Sequence, residues 1–388
     1  MKKQSGFTII EMMVAMAVAL IALAATVAAF RDSANTNQRV SLKSDISDNL
    51  RAGMNFIQQD LIQAGTGIPV GGIAVPNTGT PGSGCVGGVS AVNRPALVAS
   101  SLTFPKCNTT LPAVEPGDGL GNPINTPDAT SVTPTDLITM MYVDNTLGLD
   151  NKPINQAPFG ADPGCAGTIS PTGDSVFFDN TTIYLGVINC ADLSKANIPV
   201  SPGDLILFSN ANGNAIQTVT AVSGQTLTFT SGLGAGDTFA LNGSGKPAGT
   251  IIQLQNYTTN AAGVRTYNGT YPPTTASRIW MISYYLDDTT DPGRVRLVRR
   301  TNFNPAVVVG ETIENLQFTY NYVSGGTTLS NQPGVPANFS ENQIRSVSVY
   351  LGARSDNALN TTGTSAYLRN SIQTQVCLRS LSYVDQYK

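Results

Sequence analysis

Ser5-Gly6-Phe7-Thr8-Ile9-Ile10-Glu11, followed by an apolar run ending at Phe30, decides how this chain reads. Phe7 to Phe30 is 24 residues without Gly or Pro, and Glu11 is its only charge. As a helix it spans about 36 Å at about 1.5 Å per residue. That length crosses the hydrocarbon core of a bilayer. Lys2 and Lys3 precede it, which favours a cytoplasmic N-terminus and places the chain from about Arg31 on the opposite side. A carboxylate in such a segment is expensive, so Glu11 calls for a functional reason. An ordinary cleaved signal fits less well. Its apolar stretch runs to roughly 7–15 residues with a small-x-small site after it. Here Ala22-Leu23-Ala24 and Ala24-Ala25-Thr26 lie inside the run. A plain membrane anchor leaves Glu11 unexplained.

The helical pattern continues past the apolar run. Leu50, Met54, Ile57, Leu61 and Ala64 recur at spacings of four and three, one face of a helix. Asp45, Asp48, Arg51, Gln58 and Asp60 fall mainly elsewhere. Gly65-Thr66-Gly67-Ile68-Pro69 supplies the stop. The polar section from Arg31 to Ser44 reads as an exposed neck.

Beyond the helix the composition is that of a loop-rich β domain: 38 Gly, 23 Pro and only 12% charged residues in 388. Residues 70–132 show weak periodicity and read as long surface excursions. Strands are expected at Leu137 to Tyr142, Thr182 to Val187, Asp204 to Phe208, Ala215 to Val222 and Thr226 to Thr230. They form a small β module between the helix and a final sheet. In that sheet Trp280, Ile282, Tyr284 and Leu286 alternate, and Trp280 reads as core. Asp287 to Gly293 turns and Arg294 to Arg300 returns. Ile313, Leu316, Phe318, Tyr320 and Tyr322, then Ile344 to Ala353, then Ile372, Thr374, Val376 and Leu378 complete it. Antiparallel strands with one apolar face suit a sheet that receives an amphipathic helix, an α+β fold.

Composition excludes several chemistries. Histidine is absent, which removes Ser-His-Asp and Cys-His catalysis and His-ligated zinc. The formal charge of −3 and the lack of a basic patch give nucleic-acid binding no support. No cofactor is called for. Asp287, Asp288 and Asp291 are oxygen ligands of the kind Ca²⁺ uses, but their spacing is not that of an EF-hand and Pro292-Gly293 suffices for a turn. Arg294, Arg296, Arg299 and Arg300 read as a solvated strand face with salt bridges, or as a surface for a partner. Of five cysteines, the neighbours Cys85–Cys107 and Cys165–Cys190 are candidate bridges in an oxidising compartment, other pairings remaining open. Cys377 is then the odd one and reads as a buried strand residue.

Gly6-Phe7-Thr8-Ile9-Ile10-Glu11 resembles the processing motif of type IV pilins and type II secretion pseudopilins. The resemblance implies cleavage between Gly6 and Phe7 by a prepilin peptidase, methylation of Phe7 and, in Glu11, the fifth mature residue. In a packed filament the new amine and a neighbour's Glu11 relieve each other's desolvation. Small residues such as Ala15, Ala19, Ala22 and Ala29 let such helices approach closely. Major pilins usually break this helix with Gly and Pro, where this chain has Leu20 and Ala28. A continuous helix of that kind resembles minor pilins and pseudopilins.

A finer resemblance is to PilW-type minor pilins. It rests on Phe56 to Gly65, Pro134 to Thr139, Gly203 to Leu207, Gly310 to Tyr320, Ile344 to Val349 and Val376 to Ser380, in that order. It implies a pilin fold and a non-enzymatic role in starting pilus assembly, with a place at the pilus tip. It also implies an inner-membrane anchor, a periplasmic head, and other minor pilins and the major pilin as partners. Strand-edge contacts would help to carry assembly. The J-type pseudopilin and a pilus-tip adhesin are the alternatives. The expected organisation is a leader at 1–6, the membrane or filament-core helix at 7–30 and its amphipathic half at 31–65. A loop-rich region at 66–133, an inserted β module at 134–270 and a C-terminal sheet at 271–388 follow.

Overall fold

The computed structural model describes most of residues 8–75, 110–146 and 200–382, with short pieces between 85 and 96 and the strand Thr182–Tyr184. Helix α1, Ile9–Gln63, is 55 residues long and unbroken, with no Pro and with Gly53 as its only interior glycine, and measures about 82 Å. Its first half is exposed throughout, and Leu42 is the first residue to be even partly covered. From Ile46 a stripe of Ile46, Leu50, Gly53, Met54, Ile57, Leu61 and Ala64 is buried. Gly65 at φ 82 ends the helix, a conformation that favours glycine.

Two antiparallel sheets receive that stripe. The first contains β1 (Val114–Glu115), β2 (Ile138–Asp144), β3 (Leu205–Asn210), β4 (Gly213–Thr218), β5 (Thr275–Asp287), β6 (Arg296–Thr301) and β7 (Val307–Glu311). Its path is β7-β6-β5-β2-β1, and the β3–β4 hairpin joins through β5. The second contains β8 (Ile313–Ser324), β9 (Thr327–Gln332), β10 (Ile344–Arg354) and β11 (Arg369–Cys377), in the order β9-β8-β10-β11. Ile313 and Leu316 both face the core despite a spacing of three, because the register shifts between Ile313 and Asn315.

The main core joins the helical stripe to Ile138, Met140, Ile282, Tyr284 and Leu286 of the first sheet and to Leu316, Phe318, Val347, Val349 and Val376 of the second. Trp280 packs against it half-buried, with the Arg278 guanidinium 4.4 Å from its ring centre. The helix end is tied to the first sheet by Gly65 N–H to the Met141 carbonyl (2.8 Å) and Val143 N–H to the Thr66 carbonyl (2.9 Å).

Three expectations need correction. β5 is apolar on both faces, since Ile279 and Met281 join a separate core with Ile73, Val75, Val92 and Leu111. Pieces of 70–132 are therefore inside, covering the face of the sheet that α1 leaves bare. The middle strands do not stand apart either: β2 and β3 both pair with β5, so one sheet runs across the boundary expected at residue 270. A further core of Ile206, Phe208, Ala215, Leu227, Phe229, Ile251 and Leu254 sits on the first half of β5. Finally, Cys377 is exposed. It alternates with Val376 and Leu378, which point inward, so its side chain must point out.

At Gly53 the stripe lies close against the sheet. A Cβ there would stand 2.8 Å from Leu297 Cδ2. Overpacking costs roughly 1–3 kcal/mol, and Ala gains about 1 kcal/mol over Gly in a helix. Gly53→Ala should therefore destabilise by about 1 kcal/mol, measurable as a fall in the denaturant midpoint with an unchanged slope.

Candidate assembly site

The site has two ends on one helix. At the start of α1, Thr8 caps and Glu11 answers it. Glu11 N–H donates to Thr8 Oγ1 (3.3 Å), while Thr8 N–H and Oγ1–H both donate to Glu11 Oε2 (3.0 Å each). This reciprocal box satisfies two of the N–H groups that a helix start leaves orphaned. Glu11 is exposed, and its Oε1 carries no hydrogen bond among the described residues. Ile9, Ile10, Met12, Met13, Leu20, Ile21 and Phe30 are exposed around the same segment. Among the described residues α1 is the one helix long and apolar enough to cross a membrane, consistent with a single-pass anchor. Gly6 and Phe7 lie outside the described residues, as do the side chains of Cys85, Cys107, Cys165 and Cys190.

At the other end is a group that the sequence pattern misassigned. Asp60, expected on the polar side, is 5% exposed beneath the sheet. Arg299 holds it with Nε at 2.7 Å and Nη2 at 3.1 Å. Tyr284 Oη donates at 2.5 Å and Tyr142 Oη at 3.1 Å. One carboxylate thus takes four donors from three strands, β2, β5 and β6. Burial, and after it the Asp60 charge, push both tyrosine hydroxyls well above their ordinary value. Burial works against the Arg299 charge, but the hydrogen bonds and charge of Asp60 outweigh it and raise the guanidinium above its usual range. Arg299 thus keeps its charge, and the two tyrosines keep the protons that they donate, in a site where burial strengthens each of these bonds.

The arginines therefore divide. Arg299 belongs to the Asp60 group, and Arg300 turns inward to the carbonyls of Asn304 (3.0 Å) and Phe303 (3.2 Å). Only Arg294 and Arg296 make the outer ion pairs expected of the whole set, with Glu311 (3.1 Å), Asp356 (3.4 Å) and Asp287 (3.7 Å). Asp287 also accepts from Thr289 N–H (3.0 Å) and Oγ1–H (2.6 Å), so its carboxylate serves the turn. Among the described residues no group of acids and cysteines has metal-binding geometry.

Comparison with known proteins bears on the first end of the site. The family model for the prokaryotic N-terminal methylation motif matches residues 1–27. No curated protein matches the chain. Among solved structures, a type IV-like pilin from Thermus thermophilus is similar at 10% identity, over 47% of this chain and 87% of that one. Its TM-score of 0.16 is too low to argue from, so the fold rests on the helix and sheets themselves. The chain thus carries a prepilin-like methylation motif at the head of one long helix that packs on antiparallel sheets, a pilin-like α+β arrangement.

Proposed function

We propose that this chain is a minor pilin of the PilW type that takes part in starting type IV pilus assembly and stands at the filament tip. A prepilin peptidase cuts between Gly6 and Phe7 and methylates Phe7. α1 then anchors the chain in the inner membrane, with the head on the periplasmic side. The role is structural, with other minor pilins and the major pilin as partners. The observation that carries this reading is the methylation motif over residues 1–27 at the start of an unbroken helix, bare in its first half and docked in its second.

Glu11 supports it chemically. Its Oε2 is already engaged by Thr8, and the remaining oxygen offers a site for a neighbour's freshly cut amine. In a bundle of helices that pairing offsets the desolvation of both charges and fixes axial register. Glu11→Ala should leave cleavage and membrane insertion intact and impair incorporation into pili. Quantitative blotting of sheared filaments and pull-down of partner pilins measure this, and normal values for both would refute it. The uninterrupted helix also suits a secretion pseudopilin. Co-purification of the full chain from membranes separates the two, by whether pilus or secretion subunits accompany it.

A further inference from the structure

The strand edges of the head are not guarded equally. β7 and β9 each carry a register shift against their neighbour, between Leu297 and Val298 and between Tyr320 and Tyr322. β9 also holds Asn331 at φ 55. β1 is only two residues long. Bulges and short strands are the ordinary ways of keeping an edge from pairing with another chain. β11 has neither. Its nine residues follow β10 in one unbroken register from Ser346↔Cys377 to Arg354↔Arg369. Among the described residues no strand pairs with its other side. From Asn370 to Cys377 it contains no Pro and no charge.

The edge has a defined direction and floor. Ser371 N–H donates to Asn370 Oδ1 (2.9 Å). In an antiparallel ladder the N–H and C=O of Gln373, Gln375 and Cys377 turn to the same side as those of Ser371. Asn370 lies by Ser47 (3.5 Å), Thr374 by Gln58 (3.1 Å) and Ser380 by Thr66 (3.0 Å). β11 therefore runs alongside α1 in the same direction, away from the anchor. Ile62 follows Gln58 by one turn on the same helix face and is 45% exposed. Ile372, between Asn370 and Thr374 on the strand's inner face, is half-buried against the main core.

We propose that β11 is an acceptor edge for a strand from the head of a different pilin-type subunit anchored alongside. The inference rests on the pilin reading above and names the contact through which such a subunit is joined. A row of unpaired backbone groups specifies an extended backbone as its ligand. Because β11 leads away from the membrane, an antiparallel strand runs back toward it. From Asn370 to Cys377 the edge offers no charged side chain, so an uncharged incoming strand suits it. An apolar side chain on that strand's inner face, beyond Thr374, covers the exposed Ile62. A second copy of this chain is a poor donor. Its own strand of that direction at the edge of this sheet, β9, is six residues long and bulged.

The test places a photo-crosslinking side chain at Gln373 of the full chain in its native membrane, with Ser330 on β9 as the control position. The expected product joins Gln373 to one extended segment of a second protein that begins with a methylated prepilin motif. Ser330 gives no such product. Gln373→Lys, at an exposed position, should lower the co-purified partner about tenfold with an unchanged melting temperature, as a charge on an edge does. A cross-link to a second copy, to a protein without the motif, or to nothing overturns the proposal. So does an unchanged partner yield in Gln373→Lys. Intact mass of the same sample keeps the two readings apart. With Phe7 methylated and no adduct, the pilin reading stands and the acceptor edge falls. With residues 1–6 retained, the pilin reading itself falls.

Discussion

Asp60→Ala is expected to lower the unfolding free energy of the full chain in detergent by about 3 kcal/mol, near the lower end of what breaking a buried ion pair costs. The loss comes from what stays behind. Arg299 keeps its charge in a site where its side chain is only 25% exposed, and two tyrosine hydroxyls lose their acceptor. Removing both partners should cost less than the sum of the two single losses, because the double variant strands no charge. Asp60→Ala, Arg299→Met and their combination form a cycle read from denaturant midpoints. Additive losses would show that the two Asp60–Arg299 hydrogen bonds carry no coupling.

Gly6→Val is expected to abolish processing altogether. A peptidase must close around the backbone on both sides of the scissile bond, and glycine alone offers no Cβ to obstruct it. Intact mass should give Phe7 as a methylated terminus in the parent chain and residues 1–6 still attached in the variant. A variant that still matures at Phe7 would remove the cleavage site assigned here. The variant also sets a control for Glu11→Ala, since an unprocessed subunit fails to assemble for a different reason than one that lacks its acid.

The long helix, its stop at Gly65 and the strands of the C-terminal sheet were legible because their periodicity is local. Leu50 to Ala64 repeats at helical spacing whatever it packs on. Asp60 escaped because hydropathy assigns a carboxylate to the outside. Its position three after Ile57 puts it on the buried stripe, and only a tertiary partner, Arg299 some 239 residues away, makes that tolerable. The second covered face of β5 did leave a signal. Ile279-Trp280-Met281-Ile282-Ser283-Tyr284-Tyr285-Leu286 is a nearly continuous apolar run, as strands buried on both sides tend to be. What covers that face was not legible, because Ile73, Val75 and Val92 are short apolar islands among Gly and Pro. Cys377 was misjudged by residue type when the alternation of Val376 and Leu378 already assigned its side.

β5 carries a mechanical consequence. Its 13 residues run about 43 Å at about 3.3 Å per residue, and they serve the helix-bearing core at one end and the Phe208–Phe229 core at the other. No loop interrupts that beam. The two cores therefore share one continuous strand backbone, so a displacement of the first is passed to the second through covalent bonds and not across a loop.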